Sequence, residues 1–167
     1  MSERPKITNS EIRRAAAEKI VAQLIEDSHL EADQCEESVC DIVRYAGVND
    51  DGYEIAKSLD DRAFWSCNFQ IAETLDAYGS YLRDSLREAE KEWFAVAALE
   101  PPFPIGSRVK FGGRDESGEI TGIYEYGAGK FLVAVDGDAD ANTSRQSRRI
   151  VNFEDCRALK LAEARND

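Results

Sequence analysis

Glu100-Pro101-Pro102-Phe103-Pro104 divides the chain. Proline fixes φ and lacks an amide hydrogen, so this run stops a helix and favours an extended connector. Upstream, residues 1–100 hold three of the eleven glycines and carry apolar residues at helical spacing almost throughout. Downstream, residues 101–167 hold the other eight and read as short strands between turns. Charge divides at the same place. Residues 1–100 carry 22 acids and 11 bases, net −11, whereas residues 101–167 carry 11 and 10, net −1. The expected fold class is α+β, with an acidic four-helix domain over 1–100, a Pro-rich connector at 101–104, and a five-stranded β-domain over 105–167 that ends in a polar tail.

Working back from the prolines, the longest pattern is Leu75, Tyr78, Leu82, Leu86, Ala89, Trp93 and Val96, a seam for packing against other helices. From Leu82 to Trp93 it also offers a route to a homo-oligomer. On its outer face, Asp84–Arg87 and Glu88–Lys91 are expected as i,i+3 pairs. A helix is expected to open near Thr8, where Thr8-Asn9-Ser10-Glu11 has a capping-box pattern, with Ile12, Ala16, Ile20 and Leu24 inward. A second spans about Glu31 to Ala46 and stops at Gly47, with Cys35, Val39, Ile42, Val43 and Ala46 on one face. A short third follows Asp50-Asp51 with Tyr53, Ala56 and Leu59 inward, and Asp60 and Asp61 read as caps for the next.

Working forward, Arg108–Phe111, Glu119–Tyr126, Lys130–Val135 and Arg149–Asn152 read as strands, and the chain closes through Phe153–Leu159. Ile105-Gly-Ser-Arg-Val, the Gly118-Glu-Ile-Thr-Gly arm and the final strand pair resemble SH3-like barrels of the KOW and Tudor kind. That resemblance covers this third of the chain and implies a five-stranded SH3-like β-barrel. Tyr124 and Tyr126 are expected on one strand face, where they either pack the barrel or its contact with the helical part or, with Phe131 or Phe153, form an aromatic cage for a methylated cation. Arg145, Arg148 and Arg149, with Lys110 and Lys130, form a local basic set.

The composition excludes several functions. With 167 residues and 43% apolar content the chain has enough for a core, and its net charge of −12 disfavours both duplex DNA and an anionic membrane as direct partners. No signal-peptide core and no apolar run of about 18 residues occurs, which points to the cytoplasm. The cysteines, Cys35, Cys40, Cys67 and Cys156, include no C-x-x-C, and His29 is the only histidine. They read as reduced thiols rather than a zinc site. Asp136-Gly-Asp138-Ala-Asp140-Ala-Asn142 alternates oxygen ligands as a calcium loop does, but Ala141 and Ser147 occupy positions where such a loop needs Gly and Glu. No G-x-S-x-G, Walker A, H-E-x-x-H or dinucleotide fingerprint is present, so neither an enzyme nor a cofactor is expected.

The acidic helices remain. Asp33, Glu37 and Asp41 fall four residues apart, about 6 Å between successive positions on a helix, with Glu36 beside them. Asp50, Asp51, Glu54, Asp60 and Asp61 continue the series. A DNA strand offers a phosphate about every 3.4 Å along its axis, which rows of carboxylates on rigid helices approximate. The expected partner is a basic nucleic-acid-binding protein or ribonucleoprotein complex. In size and acidity the chain resembles the inhibitors that phages and mobile elements direct against restriction or CRISPR complexes, which implies a stoichiometric inhibitor acting by nucleic-acid mimicry. The alternative is an adaptor whose barrel reads a peptide, a methylated side chain or RNA while the helices mediate assembly.

Overall fold

The computed structural model describes residues 3–112, 116–137 and 148–159. They belong to two compact units, Met1–Trp93 and Phe94–Asp167. The first is helical and the second is built on an antiparallel sheet.

In the helical unit, α1 (Ser10–Glu26) buries Ile12, Ala16, Ala17, Ile20, Val21 and Leu24 as one broad apolar face. It starts at Asn9, whose amide donates back to the Lys6 carbonyl at 2.8 Å and whose side chain makes no capping bond. The capping box expected at Thr8 is therefore not formed. At its other end Ser28 is left-handed (φ 62°). The Ser28 and His29 amides donate to the Ile25 and Leu24 carbonyls at 3.0 and 2.8 Å, which closes the helix and aims the chain at His29.

The second α-helix begins later than expected. Ala32–Gln34 is a 3-10 turn, with the Glu31 amide donating to Gln34 Oε1 at 3.4 Å, and α2 runs from Cys35 to Tyr45. Asp33 thus lies in the turn, because the tighter i→i+3 geometry absorbs those residues before the α-helix starts. Next, α3 (Gly52–Ala63) opens on a reciprocal capping box. Asp51 accepts from the Glu54 amide at 2.8 Å and Glu54 from the Asp51 amide at 3.1 Å. Ile55, Ala56 and Leu59 point inward, whereas Tyr53 is exposed, a quarter-turn away from that stripe.

Asp60 and Asp61 belong to the last turn of α3 and cap nothing. Asn68 instead caps α4 (Phe69–Leu75) by accepting from the Ile71 amide at 2.9 Å. The seam expected from Leu75 to Val96 is interrupted at Asp76 and Ala77 before α5 (Tyr78–Ala97). Leu75, Tyr78 and Leu82 are fully buried, but Val96 is 80% exposed. Leu82 lies in the core of its own unit and is closed to a second copy. Four helices of eleven residues or more, with α4 as a seven-residue link, make the helical part.

Gly52 fixes how α3 meets α4. Its amide donates to Asp76 Oδ1 at 3.1 Å, and a Cβ there would lie 2.0 Å from the Ala72 carbonyl oxygen. Only a residue without a side chain permits this approach.

The second unit is a five-stranded antiparallel sheet in the order β4-β3-β2-β1-β5. Its strands are β1 (Arg108–Phe111), β2 (Glu116–Ile123), β3 (Lys130–Val135), β4 (Arg148–Asn152) and β5 (Arg157–Ala158), with a 3-10 turn at Phe153–Asp155. Val109, Phe111, Ile120, Phe131, Val133, Val135, Val151 and Phe153 form its core, and Phe94 meets the Phe153 ring edge to face at 6.1 Å. Strand β2 starts three residues before the expected Glu119, because Glu116 and Ser117 pair with Phe111 and Lys110. A register shift sits between Ile120 and Gly122, where Thr121 Oγ1 donates to the Leu132 carbonyl at 3.2 Å. Among the described residues, β4 pairs with β3 alone and so forms one edge.

Candidate functional site

The predicted carboxylates divide by what they hold. Glu36 is exposed and receives two hydrogen bonds from Arg14 Nη2, at 2.9 and 2.7 Å. That guanidinium holds the Glu36 carboxyl below the ordinary carboxylate range. Asp50 Oδ2 accepts from the Gly47 amide at 2.7 Å and so shapes the turn between α2 and α3. Asp51 and Glu54 form the capping box of α3, and Asp60 Oδ1 accepts from the Cys67 amide at 2.8 Å. Asp33, Glu37 and Asp61 are exposed and make no side-chain hydrogen bond among the described residues.

Two of the nine come together in a groove. Glu37 and Asp41, one turn apart on α2, line a cavity of about 350 Å³ with His29, Ser38, Phe64 and Trp65. The opposite wall is the connection from α3 to α4, and its shape follows from how α3 ends. Phe64 adopts a left-handed conformation (φ 58°), and the amides of Phe64 and Trp65 both turn back on the Leu59 carbonyl, Trp65 at 3.3 Å. With Asp60 holding the Cys67 amide and Asn68 capping α4, this connection is tied along its length. Trp65 is thereby presented to α2, where its indole Nε1 donates to Asp41 Oδ2 at 2.9 Å. Phe64 is left 88% exposed at the rim.

A left-handed phenylalanine is strained, and an exposed ring gains nothing from burial. Sequence spacing indicated Glu37 and Asp41, but it did not indicate Trp65, Phe64 or Ser38. A Trp or Phe in a short polar connection reads as core until the neighbouring helix is in place.

The negative charge is concentrated around this groove in the sequence. Residues 26–61 hold twelve Asp and Glu against Arg44 and Lys57. Arg44 lies over the Tyr45 ring, 5.2 Å from its centroid.

In the sheet unit the expected tyrosine face is corrected. The Tyr124 amide donates to the Lys130 carbonyl at 2.8 Å, which ends strand pairing at Ile123, so both tyrosines lie in the turn rather than on β2. Their rings nevertheless meet edge to face at 5.7 Å. The suggested cage partners Phe131 and Phe153 are buried in the core and pack on each other at 4.2 Å.

Arg148 and Arg149 begin β4, and Arg149 pairs with Glu116 at 2.7 Å. Arg145 and most of the calcium-like loop lie outside the described residues. Asp136, its first member, accepts from Arg108 and from Ser117 Oγ. The four cysteines are unpaired. Among the described residues no helix is long and apolar enough to cross a membrane.

No protein-family model matches the chain, and no curated protein or solved structure matches it either.

Proposed function

We propose that this chain is a non-enzymatic interaction protein whose helical unit presents a rigid anionic surface to a basic nucleic-acid-binding protein and competes there with nucleic acid. The observation that carries this reading is the set of twelve acids in residues 26–61, spread over α2, α3 and the turns beside them, with Asp33, Glu37 and Asp61 exposed to solvent. A carboxylate that accepts backbone amide bonds keeps its charge, so Asp51 at the start of α3 and Asp60 on the Cys67 amide add to the field while holding the fold. The narrower form of the reading is a stoichiometric inhibitor of a restriction-type or CRISPR-type complex acting in the cytoplasm, where unpaired cysteines stay reduced.

The sheet unit is read as an SH3-like barrel. Its support is the order β4-β3-β2-β1-β5, together with the 3-10 turn between β4 and β5. A second reading, an adaptor that binds a peptide, methylated side chain or RNA through this barrel, draws on the Tyr124–Tyr126 ring pair.

The test is capture of DNA-binding proteins from a nuclease-treated bacterial lysate on immobilised chain, with elution by duplex DNA. Retention that falls with salt, yields to DNA and is lost in Asp33→Lys/Glu37→Lys/Asp61→Lys supports mimicry. Retention indifferent to that triple reversal but lost in Tyr124→Ala/Tyr126→Ala overturns it in favour of the adaptor.

A further inference from the structure

We infer that the groove between α2 and the α3–α4 connection is a receptor for a single arginine side chain of the basic partner, an inference that rests on the anionic-surface reading and gives it a point of attachment. A general acidic surface attracts any cation, whereas this groove combines the separate elements that a guanidinium requires. Glu37 supplies an exposed carboxylate on one wall. Asp41 commits Oδ2 to the Trp65 indole at 2.9 Å, which leaves its second oxygen for a ligand and fixes the carboxylate in place. Trp65 and Phe64 supply aromatic surface, over which a planar guanidinium stacks more readily than an ammonium does.

Ser38 marks the groove as a place for a polar guest. It is 4% exposed, lines the cavity, and its hydroxyl makes no hydrogen bond among the described residues. As a groove-lining acceptor, it can take a hydrogen bond from an entering N–H donor. The cavity, about 350 Å³, is at the small end of ligand sites, which suits one long side chain rather than a folded surface. The restraints on the Phe64–Asn68 backbone and the indole bond to Asp41 hold Trp65 before any ligand arrives, so this wall needs little ordering on binding.

The probe is acetylated, amidated tri-arginine titrated into the full-length chain, with the two tryptophan indole N–H resonances followed by NMR. Trp65 is expected to move in a saturable manner while Trp93, outside the groove, stays in place. Tri-citrulline, which keeps the shape and loses the charge, is expected to leave both unmoved, and tri-lysine to bind more weakly. Glu37→Gln, at an exposed position, should weaken tri-arginine about tenfold. Asp33→Lys/Asp61→Lys, outside the groove, should weaken it far less.

A Trp65 resonance that does not respond, or equal binding of tri-lysine, overturns the arginine receptor. Because the lysate experiment reads competition with DNA, a failed groove with intact DNA-sensitive retention leaves the anionic surface standing. Loss of that retention with a working groove removes the broader reading instead.

Discussion

Arg4 and Glu90 are joined at 3.1 Å across 86 residues of sequence, with side chains only 12% and 9% exposed. The Arg4 guanidinium also lies over the Trp93 ring, 4.8 Å from its centroid. The N-terminal segment is thereby bound to α5 by a cation that satisfies an enclosed carboxylate and covers an indole. Arg4→Ala removes this ion pair and the cation over Trp93. The loss is expected to be about 3 kcal/mol, read as a lower urea midpoint. Arg4→Ala/Glu90→Gln should recover part of it, since a neutral amide costs less to enclose than a carboxylate. Equal losses in the two variants would show that the pair itself does little.

Gly52 is expected to tolerate no side chain. In Gly52→Ala the new methyl meets the Ala72 carbonyl oxygen and the Asp76 amide, both backbone groups that cannot swing aside. Overpacking of this kind costs about 1–3 kcal/mol. Thermal unfolding should register it, and Gly79→Ala supplies the control, because the nearest atom to a Cβ there is 3.7 Å away at the tip of Arg83.

The acidic residues should separate into two classes under charge reversal. Asp51→Lys breaks a capping box and places a cation at a helix N-terminus, with an expected cost of about 1–2 kcal/mol. Glu37→Lys and Asp61→Lys occupy exposed positions and should change stability by less than about 0.5 kcal/mol. Denaturant titrations of the three variants read this difference, and binding assays are interpretable only for the last two.

Thiol reactivity should follow burial. Cys67 is pushed up to about 12, first by burial and then by the neighbouring Asp60 carboxylate, and burial together with Asp155 and Glu154 pushes Cys156 up to about 11. The thiolate is the attacking species, so iodoacetamide at pH 8 should label exposed Cys40 first and both of these only after unfolding. The same shifts make stability fall in alkali. A thiol whose folded value lies above its unfolded one, near 9.0, stabilises the fold fully below that point. It loses the contribution as pH rises towards 11 and 12. Cys67→Ser and Cys156→Ser should flatten stability across that range.

Local chemistry was legible in the sequence. Strands β1 and β3 coincide with their expected limits because alternation and flanking turns define them, and the start of α3 directly after Asp50-Asp51 was recognisable from that pair alone. Pairings set by other elements were not. Glu88, expected to bond Lys91, instead meets Lys19 of α1 at 3.2 Å, while the expected Asp84–Arg87 pair forms at 3.2 Å. The groove depends on Asp41 and Trp65, 24 residues apart, and no spacing rule reaches that far. The tyrosines were misplaced because β2 stops at Ile123, a limit that only its pairing with β3 determines.

The edge position of β4 carries a consequence for handling the protein. An open edge is a template on which another chain's strand can add, and Arg148 and Arg149 place two like charges at its start. Two molecules approaching edge to edge would bring the Arg148 guanidinium of each, beside an Arg149 already paired with Glu116, to the new seam, a repulsion that salt screens. Concentrated stocks should therefore cloud or form fibrils sooner at high ionic strength, and sooner still when both arginines are replaced by threonine.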